Sequence, residues 1–244
     1  MNIVFLMGGK NDSRPGSDYP IYMAEVHNHL ILENQINYVQ DAAPEHVIFC
    51  VRKHDIEQYH VDFIARALTD NAVIVPMCGQ TKGAICSALL ACSYIDNNEE
   101  LVLCSVDDCV DQPLREILQN FREQQCDAGI VTFRSVHPRY SFVKTDENGT
   151  VCEFSEKKPI SRNALASIYY FSKGSDFVAC AKDVIRKDNA INDKFYISQT
   201  LNEMILKQKK ITVHHIDNQF FHPMKTEMQL ASYLKKLENA LESV

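Results

Sequence analysis

Short apolar runs punctuate the first half of the chain. "NIVFLM" (2–7) stops at Gly8 and Gly9, and similar runs follow at 46–51 ("HVIFCV"), 72–77 ("AVIVPM"), 100–106 ("ELVLCSV") and 128–133 ("AGIVTF"). They are apolar throughout rather than alternating, which predicts strands covered on both faces. Helical spacing lies between them, at 30–39, 56–68, 83–95 ("GAICSALLACSYI") and 113–125. Strand and helix in alternation predict an α/β fold with a mostly parallel sheet flanked by helices. In such sheets ligands bind beyond the carboxyl ends of the strands.

The pattern changes after residue 135. "YSFVKTDENGTVCEFSEKK" alternates on either side of the turn residues "DENG" and predicts a hairpin. A strand "ASIYYF", helices at 175–185 and 197–207, a strand "ITVHHI" and an amphipathic helix at 226–241 complete the chain. No repeat or long linker divides it, so the expectation is one domain over 1–244, in two parts, one up to about residue 135 and one after it.

Composition narrows the partners. A formal net charge of -7 gives no reason to expect nucleic acid or an anionic membrane. Nine cysteines are scattered without C-x-x-C spacing, the pattern of reduced thiols in a cytosol rather than of disulfides or a zinc site. The apolar start is too short for a signal peptide or a membrane span and lacks a basic leader, so a cytoplasmic protein is expected. Homo-oligomerisation stays open.

Candidate chemistry clusters where strands end. Gly8 and Gly9 would let backbone N–H groups approach a phosphate, with Lys10 and Arg14 supplying charge in the same loop; a plain strand-to-helix turn is the simpler reading. Asp107 and Asp108 close an apolar strand where carboxylates could hold magnesium against a triphosphate, or merely form a turn before Pro113. Gln80 offers donor and acceptor to a nucleobase edge, and Gly83 allows close approach, while Thr81 could simply cap the helix. After the hairpin, Lys157 could pair with a phosphate and Glu156 could accept polyol hydroxyls.

In order, "NIVFLMGG", "QTKGAICSALLA", "VDDCVD", "HPRYSFVKTDENGTVCEFSEKKPIS", "SIYYF", "DKFYISQTLNEMI" and "FFHPMKT" resemble the sugar-phosphate nucleotidyltransferase family, especially its capsule and lipopolysaccharide branch. The resemblance implies a glycosyltransferase-A type, Rossmann-like fold, magnesium as cofactor, and two substrates: a nucleoside triphosphate and a phosphorylated small-molecule acceptor. A phosphate oxygen of the acceptor would attack the α-phosphorus and pyrophosphate would leave. It further implies Gly8 and Gly9 at the triphosphate, Gln80 and Gly83 at the base, and Asp107 on the metal. Lys144, Glu156 and Lys157 would face the acceptor. The resemblance thus implies that the part up to about residue 135 is nucleotide-binding and the part after it acceptor-binding.

The chain departs from that pattern at three places. The signature loop reads "GGKNDSRPGSDYPIY", so that Ser13 and Arg14 match only with an inserted residue and Ile21 follows Pro20 where a lysine is usual. The usual Asn-Ser-Asp-Gln is Ser105, Val106, Asp107, Asp108. Where the family has Asp-x-Gly-Thr with a second metal-binding aspartate, this chain has Pro223, Met224, Lys225 and Thr226. Two functions are therefore carried forward: a nucleotidyltransferase for surface polysaccharide precursors, and a catalytically silent relative that binds a nucleotide or sugar nucleotide.

Overall fold

The computed structural model describes residues 1–9, 19–26 and 28–242, with side chains described up to 237. Lys10, Ser13 and Arg14 lie outside the described residues.

The elements follow the apolar runs. β1 (Asn2–Met7) leads past a 3-10 turn (Ile21–Met23) and a small ribbon, β2 (Glu25–Val26) with β3 (His29–Leu30), into α1 (Ile31–Gln40). Then come β4 (His46–Arg52), α2 (Lys53–Tyr59), α3 (Val61–Leu68), β5 (Ala72–Met77), α4 (Ala84–Leu89) and α5 (Cys92–Ile95). β6 (Leu101–Ser105), β7 (Asp108–Val110), α6 (Leu114–Glu123) and β8 (Ala128–Arg134) follow. The hairpin β9 (Ser141–Thr145) and β10 (Val151–Glu156) precedes β11 (Asn163–Phe171), α7 (Gly174–Arg186) and α8 (Ile197–Leu206). The chain ends through β12 (Ile211–His215), β13 (Phe221–Pro223) and α9 (Glu227–Glu242).

Two predicted helices are broken. The stretch 56–68 divides at His60, which takes φ 52° between α2 and α3, and 83–95 divides between α4 and α5. Neither break is marked by glycine or proline, so the apolar spacing runs on through it.

β5, β4, β1 and β6 lie side by side and parallel, and β11 continues the sheet antiparallel to β6. Alternate side chains of β1 enter two cores, because successive residues of a strand point to opposite faces. Ile3, Phe5 and Met7 join the core beneath α1, α3 and α6. Val4 joins the core beneath α4, α7 and α8. Phe5 stacks on Phe49 of β4 at 5.6 Å between ring centroids. Burial of this kind contributes about 1.5–3 kcal/mol for each large apolar side chain, so β1 at the centre fixes where its carboxyl end emerges.

β11 changes partners along its length. Asn163 and Ala164 pair with β9, and 168–171 pair with β6. At the join the register with β8 shifts between Leu165 and Tyr169, and Ser167 takes φ 57°. This bend sets the β9–β10 hairpin beside the antiparallel end of the sheet. Among the described residues, no helix is long and apolar enough to cross a membrane.

Candidate active site

A cavity of about 410 Å³ opens where the parallel strands end. Gly8, Gly9, Gln80, Thr81 and Gly83 line it from the amino-terminal side of the chain, and Arg139, Tyr140, Ser141, Glu156, Lys157, Lys194 and Tyr196 from the carboxyl-terminal side.

On the first side, β1 delivers Gly8 against β5 and α4. A β-carbon on Gly8 would lie 3.1 Å from Met77 Cε and 3.4 Å from Ser87 Oγ, whereas Gly9 faces open space. The backbone of Gly8 thus runs close to the helix α4, whose start is organised by hydroxyls: Ser87 Oγ donates to the Gly83 carbonyl at 3.3 Å and shares a 2.7 Å bond with Thr81. Gly83 takes φ 107°, and the segment bearing Lys194 and Tyr196 crosses beside it. There Phe195 N–H donates to the Lys82 carbonyl at 2.8 Å and Ile85 N–H donates to the Phe195 carbonyl at 3.2 Å.

On the other side, Glu156 at the end of β10 accepts hydrogen bonds from the hydroxyls of Ser141 and Ser198, the latter at 3.0 Å. Burial pushes its carboxyl above the usual range, an effect that the two hydroxyls, Lys157 and Lys225 offset only in part. Lys157 Nζ donates to Tyr196 Oη at 3.0 Å and lies 5.1 Å from the centre of the Tyr196 ring. That bond and the ring hold its ammonium at the wall. The backbone aids this placement, since Lys157 takes φ 56° and its N–H donates to the Tyr140 carbonyl at 3.1 Å. Lys158 lies outside this cavity's lining.

Lys144 is not brought to the cavity. Ser141 of β9 lines it, and Lys144, three positions along the same strand, is exposed on the opposite face. Ile21 likewise does not line the cavity: it is 9% exposed and packs in the core with Tyr22, whose hydroxyl donates to Asp55 at 2.6 Å.

Asp107 and Asp108 follow β6 but are not among the cavity's lining residues; Lys225 is. The ribbon of β7 and β13 sets Pro223 opposite Asp108, and Lys225, two residues on, returns over both aspartates. Its Nζ lies 2.6 Å from Asp108 Oδ2 and 3.9 Å from Asp107 Oδ1, while the Ser105 hydroxyl also bonds Asp107 Oδ1. Asp108 is almost wholly buried, which raises its pKa against the lowering pull of Lys225. For Lys225 burial opposes the charge, and the two aspartates outweigh it, so its pKa is raised and it stays an ammonium. Magnesium, which the family resemblance implies, does not fit these residues well. Among the described residues no three His, Cys, Asp or Glu side chains converge as a metal cage. An ammonium already sits where a divalent ion would meet the carboxylates, and like charges a few ångströms apart repel.

Several lining groups carry no mark in the sequence. Arg139, Ser167, Tyr169, Lys194 and Tyr196 reach the cavity from three separate segments. Their strings enter the family resemblance, but only the β11 bend and the packing of Phe195 on Gly83 bring them together.

The fold is shared with several solved structures. The nucleoside-diphosphate-sugar pyrophosphorylase from Vibrio cholerae RC9 is 21% identical, with 96% of this chain and 99% of that one covered and a TM-score of 0.80. A UDP-glucose pyrophosphorylase solved with UDP-glucose is 15% identical, covers 98% of each chain and has a TM-score of 0.76. HddC from Yersinia pseudotuberculosis, solved with GMP-PN, is 14% identical, with 97% of this chain and 99% of that one covered and a TM-score of 0.67. No curated protein matches the chain in sequence. The profile of the nucleotidyl transferases matches residues 23–219, four-fifths of the chain by length, and with the parallel strands ending at this cavity the chain belongs to the nucleotidyl transferase family.

Proposed function

We propose that this chain joins a nucleoside monophosphate, taken from a nucleoside triphosphate, to a phosphorylated sugar or similar small metabolite, supplying a nucleotide-activated precursor for surface polysaccharide. The observation that carries the reading is the make-up of the cavity lining: glycines, an amide and hydroxyls from the amino-terminal side of the chain, and Arg139, Lys157, Lys194 and Lys225 with the carboxylate of Glu156 from the carboxyl-terminal side. The first side suits a nucleotide, whose base needs donors and acceptors and whose phosphates need backbone N–H groups. The second suits an anionic polyol.

In this reading a phosphate oxygen of the acceptor attacks the α-phosphorus. The bond to the β-phosphate breaks, and pyrophosphate leaves with the electron pair. Gly8 and Gly9 cradle the triphosphate, with Lys10 and Arg14 of the following loop as candidates to offset its charge. Gln80 reads the base. Lys157, held by Tyr196, pairs with the acceptor phosphate, and Glu156 accepts its hydroxyls. Fixed cations act mainly by stabilising charge as it develops on the transferred group. Asp107 then positions Lys225 rather than binding metal, and Lys144 has no part.

A second reading, a silent relative that only binds nucleotide or sugar nucleotide, is favoured by Ile21, whose place in the core leaves no lysine beside the phosphates at that position. Pyrophosphate release, measured for each nucleoside triphosphate against a panel of sugar phosphates, tests the first reading. Turnover with one pair establishes it. No turnover, combined with nucleotide binding by calorimetry, gives the second.

A further inference from the structure

We propose that Lys225 is the resident cation of this site: its ammonium stands between Asp107 and Asp108 where a divalent metal would otherwise be held, and it meets the ligand's phosphates in the metal's stead. The inference rests on the proposed function for the identity of the ligand, but not for the state of the aspartates.

Three observations carry it. First, the ion pair is tight and its acidic half is enclosed. Lys225 Nζ lies 2.6 Å from Asp108 Oδ2; that carboxylate is 2% exposed, while the lysine side chain is 45% exposed and open to the cavity. Removing the lysine would strand the buried carboxylate without a counter-charge, which is costly. A metal entering here would have to expel Lys225 and leave its charge beside the incoming one. Second, the lysine sits in the short bend between β13 and α9 and is fixed by bonds on both flanks. Pro223 pairs with Asp108 across the β7 and β13 ribbon, Met224 N–H donates to the Asp107 carbonyl at 2.7 Å, and Lys225 N–H donates to Gln229 Oε1 at 3.1 Å at the start of α9. Third, Lys225 also lines the cavity, with Ser105, Ser167 and Tyr169 nearby on its wall. It is the link between the acidic pair, which does not line the cavity, and the space a phosphate would fill.

The chemistry of the exchange is consistent. Hard divalent ions bind through several oxygen ligands, and two carboxylates neutralised by an ammonium offer few. A lysine keeps one positive charge permanently in place and needs no ion from solution, although it can offset less phosphate charge than a divalent metal. The chain therefore takes phosphate-bearing ligands without a divalent cation, with weaker charge compensation.

Manganese serves as the probe. In the wild-type protein without nucleotide, electron paramagnetic resonance titration should show no saturable manganese site, and manganese should leave the melting temperature unchanged. Lys225→Asp replaces the ammonium with a third carboxylate and should acquire a saturable site, with a melting temperature that rises on adding manganese. If Lys225→Asp does not fold, Lys225→Gln gives the second variant. It keeps the length but not the charge, and should lose about tenfold or more in nucleotide affinity measured in EDTA. Wild-type nucleotide affinity should be the same in EDTA and in magnesium. A saturable manganese site in the wild type that Asp107→Asn abolishes would overturn the proposal, as would nucleotide binding that requires magnesium or that Lys225→Gln leaves intact in EDTA. Failure of every nucleotide to bind, with manganese behaving as expected, would defeat the proposed function and leave the assignment of Lys225 standing.

Discussion

Gly83 packs on Phe195 so closely that a β-carbon at Gly83 would lie 2.4 Å from the Phe195 carbonyl oxygen and 2.7 Å from its amide nitrogen. Two segments 112 residues apart in sequence are thereby pinned together, and with them two parts of the cavity lining: Gln80, Thr81 and Gly83 ahead of α4, and Lys194 and Tyr196 on either side of Phe195. The glycine meets two demands, since φ 107° is also a conformation that side chains rarely adopt.

Gly83→Ala should therefore destabilise the fold by more than about 1 kcal/mol, because both the backbone angle and the contact oppose a side chain. Urea unfolding monitored by far-ultraviolet circular dichroism measures it. A variant as stable as the wild type would show that Gly83 is spared for the ligand's sake and not for Phe195.

Ile21→Lys follows from the contrast between resemblance and packing. By position, a lysine after Pro20 belongs beside the phosphates, and restoring it ought to raise turnover. In the structure Ile21 is buried with Tyr22 in the core beneath the sheet. The substitution should instead cost about 2–4 kcal/mol, from lost apolar burial and an ammonium with no partner, and should not increase pyrophosphate release. A stable variant with faster release would return residue 21 to the phosphate loop.

Much of the fold is legible in the sequence because burial on both faces leaves β1, β4 and β6 almost nothing polar to show, and the half-buried edge strand β5 is apolar throughout as well. The hairpin is equally plain, since Asp146 to Gly149 supply a turn between alternating strands. The site is only half legible. Gly8 directly follows β1, and Gln80 and Gly83 lie in the short connection from β5 to α4, where the topology alone points. Lys225 and Asp108 are 117 residues apart and meet through the three-residue strands β7 and β13, too short to leave a periodic signal. Lys144 was expected at the acceptor because it shares a string with Glu156, yet strand alternation sends it to the far face.

Glu156 gives a pH-dependent prediction. Its folded-state pKa is raised, so the folded protein holds that proton more tightly than the unfolded chain does. Its contribution to stability is then fully present below the unfolded pKa and is lost as pH rises through the folded one. Glu156→Gln removes this loss, so the variant should gain stability relative to the wild type as pH is raised from acid to neutral. Unfolding midpoints of both proteins over that range test it, and parallel profiles would mean the carboxyl is solvated. The same variant should raise the acceptor's KM, because an amide is a weaker acceptor for sugar hydroxyls.

Lys157 and Lys158 separate a placed cation from a merely adjacent one. Lys157 Nζ is bonded to Tyr196 Oη and set near the Tyr196 ring, and it lines the cavity, whereas Lys158 lines a different hollow together with Asn189 and Asn202. A cation fixed by a hydroxyl loses less freedom on meeting a phosphate than one swinging in solvent, so the pairing with Tyr196 should show in binding. Lys157→Ala should lower kcat/KM for the acceptor by about tenfold or more while leaving nucleoside triphosphate affinity nearly unchanged, as expected when a charged hydrogen bond to one substrate is lost. Tyr196→Phe keeps the ring and removes only the bond, so it should raise the acceptor's KM less than Lys157→Ala does. Lys158→Ala should change neither constant. Initial-rate kinetics with the acceptor varied at saturating triphosphate distinguish these cases. If Lys158→Ala carries the effect and Lys157→Ala does not, the acceptor phosphate sits in the hollow beside Asn202, and the acceptor end of the cavity has been assigned to the wrong wall.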